Sequence, residues 1–164
     1  QVSFGKGQML MRDYQKRSDI CVVLLEMCED VAKRARTAGY VGRTISLGLS
    51  YSQAAMTKGF YRSKTIEEPT NDTMTLYAVC KELLDTHFVG EPARQLSVRL
   101  SNVEQAHSIQ LDLFDTDKEK RQTLAHTVDT IRDKFGATAV LRAASYTEAG
   151  TALERNRLVG GHLA

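Results

Sequence analysis

Residues 43–51 read RTISLGLSY, in which Thr44, Ser46, Gly48 and Ser50 alternate with Ile45, Leu47, Leu49 and Tyr51. A period of two is that of a half-buried β-strand, with one face packed and the other open. GFYRSKTI at 59–66 is aromatic and β-branched enough for a second strand, with a less clean alternation. RQLSVRL at 94–100 is a third, turning Leu96, Val98 and Leu100 inward and Gln95, Ser97 and Arg99 outward. Strands of this kind need an apolar layer over their inner face.

Two helical stripes supply it. Ile20, Val23, Leu24, Met27, Cys28 and Val31 recur at the spacing of a buried helix face, with Ser18 expected to cap the helix and Gly39 to stop it. After the turn EEPTND, Asn71 or Thr70 is expected to cap a second helix with the stripe Leu76, Val79, Leu83, Leu84 and Phe88, ended by Gly90 and Pro92. Residues 8–14 (QMLMRDY) read as a short strand or a tether. The order β-α-β-β-α-β over about residues 8–103 predicts an α+β two-layer domain: a four-stranded sheet with two helices on one face and the other face wet.

Beyond it the composition changes. QLDLF at 110–114 precedes a charged run, DTDKEK, and Thr116 with Glu119 forms a capping-box pair. The helix they start carries Leu124, Val128, Ile131 and Phe135, a stripe too narrow for a core of its own. It is expected to dock either on the preceding domain or on one outside this chain, and Gly136 to end it. Ala139 to Leu141 is a possible further strand, and the ending ERNRLVGGHLA is polar. The expected organisation is a tether and first strand at 1–17, a domain at 18–106, a linker at 107–115 and a helical extension at 116–164. The chain opens at Gln1 rather than Met, so it is expected to be a piece of a longer protein.

Cys21, Cys28 and Cys80 contain no CxxC, and His87, His107, His126 and His162 form no ligand spacing, so neither a disulfide framework nor a zinc site is expected. Core packing is the expected role of the cysteines. No stretch is long and apolar enough to span a bilayer and no signal peptide is visible, which makes a cytoplasmic setting without a membrane partner the default. Glu29-Asp30 lies on a helix surface and Glu67-Glu68 in a turn, and there is no GxxxxGK[ST], GxSxG or HExxH. No catalytic residue and no metal ligand is therefore assigned, and the chain alone is expected to be inactive.

The net charge of +2 conceals a segregation. Residues 1–64 hold 11 Lys and Arg against 5 Asp and Glu (+6), and residues 65–164 hold 11 against 15 (−4). Lys33, Arg34 and Arg36 suit a solvated helix C-terminus, where cations complement the dipole. Lys58, Arg62 and Lys64 are assigned to the second strand beside the Ser63 and Thr65 hydroxyls, with Arg43 and Arg99 extending the row from neighbouring strands. That mixture suits phosphate, with charge for affinity and hydroxyls for positioning, although an ordinary charged edge strand has the same look.

VGRTISLGLSYS, KGFYRSKTIEEPTNDT and QLSVRL together resemble the little-finger domain of Y-family lesion-bypass DNA polymerases, nearest to the bacterial SOS error-prone subunit and DNA polymerase IV group. QLDLF is similar to the sliding-clamp-binding motif those polymerases carry after the little finger, and HTVDTIRDKFGATAVLRAAS and ERNRLVGGH resemble the extension of Gram-positive members. The resemblance implies a DNA-gripping sheet laid against the primer-template backbone, with Arg62, Ser63, Lys64 and Thr65 on the phosphate-contacting strand and Arg43 beside it. It implies a catalytic palm with its Mg2+ outside this chain, no cofactor within it, and a bacterial sliding clamp as partner. Tyr61 departs from the family pattern, which commonly has a small polar residue there. In the pentapeptide, Leu111, Leu113 and Phe114 suit an apolar cleft and the Gln110 amide a polar subsite, an arrangement in which a few anchors carry the binding. The rival expectation is a free-standing adaptor that binds a protein partner through QLDLF and never touches DNA.

Overall fold

The computed structural model describes residues 1–106 and 116–157. They fall into two compact units, within residues 1–106 and 107–164. In the first unit the elements follow as β1 (Phe4–Tyr14), α1 (Arg17–Ala38), β2 (Tyr40–Tyr51), β3 (Phe60–Thr70), α2 (Thr73–His87) and β4 (Ala93–Gln105). This is the predicted α+β order. The strands form one antiparallel sheet in the order β1-β4-β2-β3, so the first and last strands pair and β1 and β3 are the edges. Residues 8–14 are the second half of a full edge strand paired with β4, with an irregular register between Met9 and Tyr14.

The core lies between the sheet and its two helices. Ile45, Leu47, Leu49, Leu96, Val98 and Leu100 meet Ile20, Val23, Leu24, Met27, Val31, Leu76 and Leu84, all essentially without solvent exposure. Each such side chain contributes about 1.5–3 kcal/mol on removal from water, and the two predicted stripes together make one continuous apolar layer. Cys21, Cys28 and Cys80 are free thiols buried in it, in the packing role expected of them. Gly39 terminates α1 with φ 74°, a left-handed conformation that costs glycine nothing, and its N–H reaches the carbonyls of Ala35 and Arg36.

Both helix starts differ from expectation. Lys16 is the N-cap of α1, and Ser18 lies inside the first turn rather than at the cap. α2 is capped by Asp72, whose carboxylate accepts from the Thr75 N–H at 3.0 Å and the Thr75 hydroxyl at 2.8 Å. Thr70 instead accepts from the Asp72 N–H at 3.0 Å, and Asn71 donates to the Tyr40 carbonyl at 3.1 Å. The cap is thus neither expected residue but the charged acceptor that follows them, as the turn geometry requires. α2 ends at His87, before Gly90; Phe88 leaves the stripe in an extended conformation and stacks on Tyr51 with ring centroids 6.2 Å apart.

In the second unit, α3 (Thr116–Phe135) precedes a single 3-10 turn (Ala143–Tyr146) and the short α4 (Ala152–Arg155). Gly136, at φ 106°, follows α3 as expected. Ala139 to Leu141 is not a strand. Ala139 and Val140 form a bend instead, and the Val140 carbonyl accepts two bonds from the Arg132 guanidinium, at 2.9 and 2.7 Å. Along the α3 stripe Val128 and Ile131 are half-buried while Leu124 and Phe135 are exposed. QLDLF, the Thr116 side chain of the capping box and the chain from Leu158 onward lie outside the described residues.

Candidate nucleic-acid interface

Directly opposed residues in an antiparallel sheet project from the same face, so the register fixes what each face carries. On the face away from the helices three neighbouring rows cross the strands, Gly5–Arg99–Ser46–Ser63, Gly7–Ser97–Gly48–Tyr61 and Ser101–Thr44–Thr65, and Met9–Gln95–Ser50 follows next to the second. This is a floor of glycine and hydroxyl side chains. Ser46 Oγ lies 2.8 Å from Ser63 Oγ, and Thr44 Oγ1 lies 3.0 Å from Thr65 Oγ1. In each pair one hydroxyl donates to the other, which leaves the second proton and several lone pairs for a ligand. Ser46 is itself nearly buried, a short side chain flanked in its row by Ser63 and Arg99.

Two glycines keep this floor low. A Cβ at Gly48 would stand 2.2 Å from Ser97 Oγ and 3.1 Å from Tyr61 Cδ2, so the Tyr61 ring lies beside a gap that only glycine leaves. A Cβ at Gly5 would stand 3.5 Å from Arg99 Nε, which places the Arg99 stem against the β1 backbone. Arg99 is exposed and, among the described residues, makes no ion pair. Tyr61, Met9 and Met11 are the large exposed apolar side chains of β1 and β3.

The predicted basic residues divide between the two faces. Ser63, Thr65 and Arg99 share the open face. Arg62 and Lys64 share the opposite one, opposed to Leu47 and Ile45 at the sheet edge. Lys64 Nζ is 2.7 and 2.8 Å from the two carboxylate oxygens of Glu82 on α2. Arg62 donates to the Tyr61 carbonyl at 3.1 Å and is exposed. Arg43 donates to the Glu67 carbonyl and stands 3.7 Å from Glu104, so it ties β2 to the strands on either side. Lys58 is not on β3; it is exposed in the connection before that strand. At the end of α1, Arg36 bonds the Asn71 carbonyl at 3.0 Å and Arg34 the Gly5 carbonyl at 2.5 Å, both within the fold. Thr44, Ser46 and Ser97 escaped assignment as candidates although each faces outward in its strand's alternation; the missing signal was the register that lines them up.

Among the described residues no group of three or more His, Cys, Asp and Glu side chains could hold a metal ion, so the residues present do not fit a divalent-metal centre. No described helix is long and apolar enough to cross a membrane.

Residues 1–113 match the impB/mucB/samB family C-terminal domain. The chain belongs to this family. Over 162 residues it is 53% identical to the putative UV-damage repair protein UvrX of Bacillus subtilis, and 41% identical to DNA polymerase IV 2 of Halalkalibacterium halodurans. Each match covers 99% of this chain and 39% of the relative, so the chain spans about two fifths of the length of those proteins. The fold of the impB/mucB/samB domain is shared with a solved complex of the beta-clamp processivity factor and the little finger domain of PolIV, at a TM-score of 0.52 and 12% identity over 69% of this chain and 99% of that one. The resemblance read from the strand segments, to the C-terminal part of the lesion-bypass polymerases, is borne out by the family match and the DNA polymerase IV relatives.

Proposed function

We propose that this impB/mucB/samB domain is the DNA-gripping, clamp-tethered C-terminal part of a cytoplasmic lesion-bypass DNA polymerase. In this reading the parent is a metal-dependent nucleotidyltransferase whose Mg2+ sits in a palm outside this chain. The open sheet face holds the primer-template backbone. Its support is the three cross-strand rows: a low floor of glycines and paired hydroxyls with a cation in their midst, Arg99, that makes no ion pair among the described residues. Neutral donors and a single guanidinium suit phosphate and sugar oxygens and carry no reading of base edges, which fits a grip indifferent to sequence and to damage. Arg62 and Lys58 then act from the rim, reaching phosphates round the β3 edge and from the adjoining connection, while Lys64 and Arg43 are held by Glu82 and Glu104 and brace the sheet. QLDLF supplies the second attachment, with Leu111, Leu113 and Phe114 as apolar anchors and Gln110 as the polar one. Tethering to a clamp offsets a weak DNA contact through effective concentration. The solved structure that shares this fold is a little finger domain in complex with a beta-clamp, which supports that partner.

The test is fluorescence anisotropy on a labelled primer-template with the 164-residue chain and two charge-introducing variants. Ser63→Glu places a carboxylate in the hydroxyl rows and is expected to weaken binding roughly tenfold or more at low salt. Thr86→Glu, on the exposed surface of α2, is expected to leave it unchanged. In parallel, Leu113→Ala with Phe114→Ala is expected to abolish clamp binding with an unaltered circular-dichroism spectrum. Clamp binding without any DNA binding by the parent chain would replace this reading with the adaptor one.

A further inference from the structure

The two helices behind the sheet meet along one seam, tied at both ends. Arg17 on α1 pairs with Asp85 near the end of α2, and Arg36 Nη1 reaches the Asn71 carbonyl and, at 3.4 Å, the Thr73 hydroxyl at its start. Midway along, Cys28 Sγ lies 3.8 Å from Cys80 Sγ, across 52 residues of sequence and with neither residue exposed to solvent. The third thiol, Cys21, lies seven residues before Cys28 on α1, near Tyr77 rather than near another cysteine. Of the three cysteines, then, only Cys28 and Cys80 face one another. A sulfur–sulfur bond is about 2.0 Å long, so the gap to close is less than about 2 Å, shared between two side chains that each rotate about χ1.

We infer that Cys28 and Cys80 form a latent disulfide, which a hydroperoxide converts into a covalent staple between α1 and α2. The chemistry balances in two steps. One thiol takes the terminal oxygen of the hydroperoxide and becomes a sulfenic acid, releasing water when the oxidant is hydrogen peroxide. The second thiol attacks the sulfenic sulfur, a second water leaves, and the S–S bond forms. Two electrons pass from the thiol pair to one peroxide, and no other reactant is needed.

The closed seam protects the pair. The mutual hydrogen bond and then burial push the Cys28 thiol well above its ordinary range, so the nucleophilic thiolate is scarce while the helices are packed. Oxidation therefore starts when the seam opens, and closing it again returns the partner sulfur to bonding reach. The pair is thereby a fastener set by opening, and it lies on the side of the sheet away from the hydroxyl rows.

The experiment is peptide mapping of the full 164-residue chain after hydrogen peroxide treatment, with free thiols alkylated in denaturant before digestion. The expected product is one linked peptide pair, Cys28 with Cys80, lighter by two hydrogens than the separate peptides, while Cys21 is alkylated. Its formation is expected to accelerate several-fold in urea below the unfolding transition, because opening limits the rate. The oxidised chain is expected to melt on the order of 10 °C higher, an effect a dithiol reverses. Cys21→Ala should retain the linkage. Alkylation of all three thiols after peroxide in sub-denaturing urea, or a linkage through Cys21, would overturn the inference.

Discussion

Arg99 is the one cation in the cross-strand rows of the open face, it has no ion-pair partner among the described residues, and its stem rests on Gly5. Lys64 is by contrast neutralised by both carboxylate oxygens of Glu82 and opposes Ile45 on the helix side. A cation that neutralises one phosphate contributes about −0.9 to the slope of log K against log salt on duplex DNA. Arg99→Ala is therefore expected to flatten that slope by about 0.9. Over a fourfold rise in salt, from about 50 to 200 mM, the parent then loses about 3.5-fold more affinity than the variant (four to the power 0.9). Lys64→Gln is expected to leave the slope nearly unchanged, since it removes a charge already balanced within the protein. The assay is an anisotropy titration of one labelled primer-template at four or five salt concentrations, with unfolding midpoints showing that each variant is folded. An unaltered slope in Arg99→Ala, with a flattened one in Lys64→Gln, would refute the assignment of the open face and move the grip to the β3 edge.

Two further outcomes test the fold that presents this face. A Cβ at Gly59 would stand 1.9 Å from the Leu49 carbonyl oxygen and 2.7 Å from Ser50 Cα, both backbone atoms, whereas a Cβ at Gly7 meets nothing within 4 Å. Gly59→Ala is thus expected to cost about 1–3 kcal/mol, seen as a thermal midpoint lower by roughly 5–20 °C, and Gly7→Ala to shift it little. The hydrogen bond from Arg17 holds the Asp85 carboxyl below its ordinary value of 3.8. A depressed folded-state value means stability that is present above the ordinary carboxylate range and is lost as pH falls through the folded value. Denaturant midpoints at about pH 6 and about pH 3 should therefore lie closer together in Asp85→Asn than in the parent; an equal gap would show that the ion pair contributes nothing.

The strand alternation of 43–51 and 94–100 was enough to place the inner residues, because both strands are central and one of their faces must leave water. The two helical stripes were legible for the same reason, and Gly39 because few residues other than glycine end a helix in the left-handed conformation at no cost. The caps were less so. Thr70 and Asn71 are the caps the sequence suggests, but Asp72 beside them also accepts a backbone hydrogen, and only the path of the turn chose it.

β3 shows why the site could not be read whole. It is an edge strand whose few apolar residues are divided, Phe60 and Ile66 on one face and Tyr61 on the other, with charged or polar side chains on both, so its alternation marks the inner face only weakly. Its alternation puts Arg62 with Lys64 and Ser63 with Thr65, but only pairing with β2, Leu47 to Arg62 and Ser46 to Ser63, decides which pair meets the open face. The same pairing brings Glu82 onto Lys64 from 18 residues away and collects Thr44, Ser46 and Ser97 with Arg99. From sequence alone, then, came the family, the order of elements, the core and the residue types a phosphate-binding face would use, since those depend on periodicity and local chemistry. The tertiary structure alone decided which of those residues share a face, because cross-strand register and helix docking are long-range contacts that no single stretch encodes.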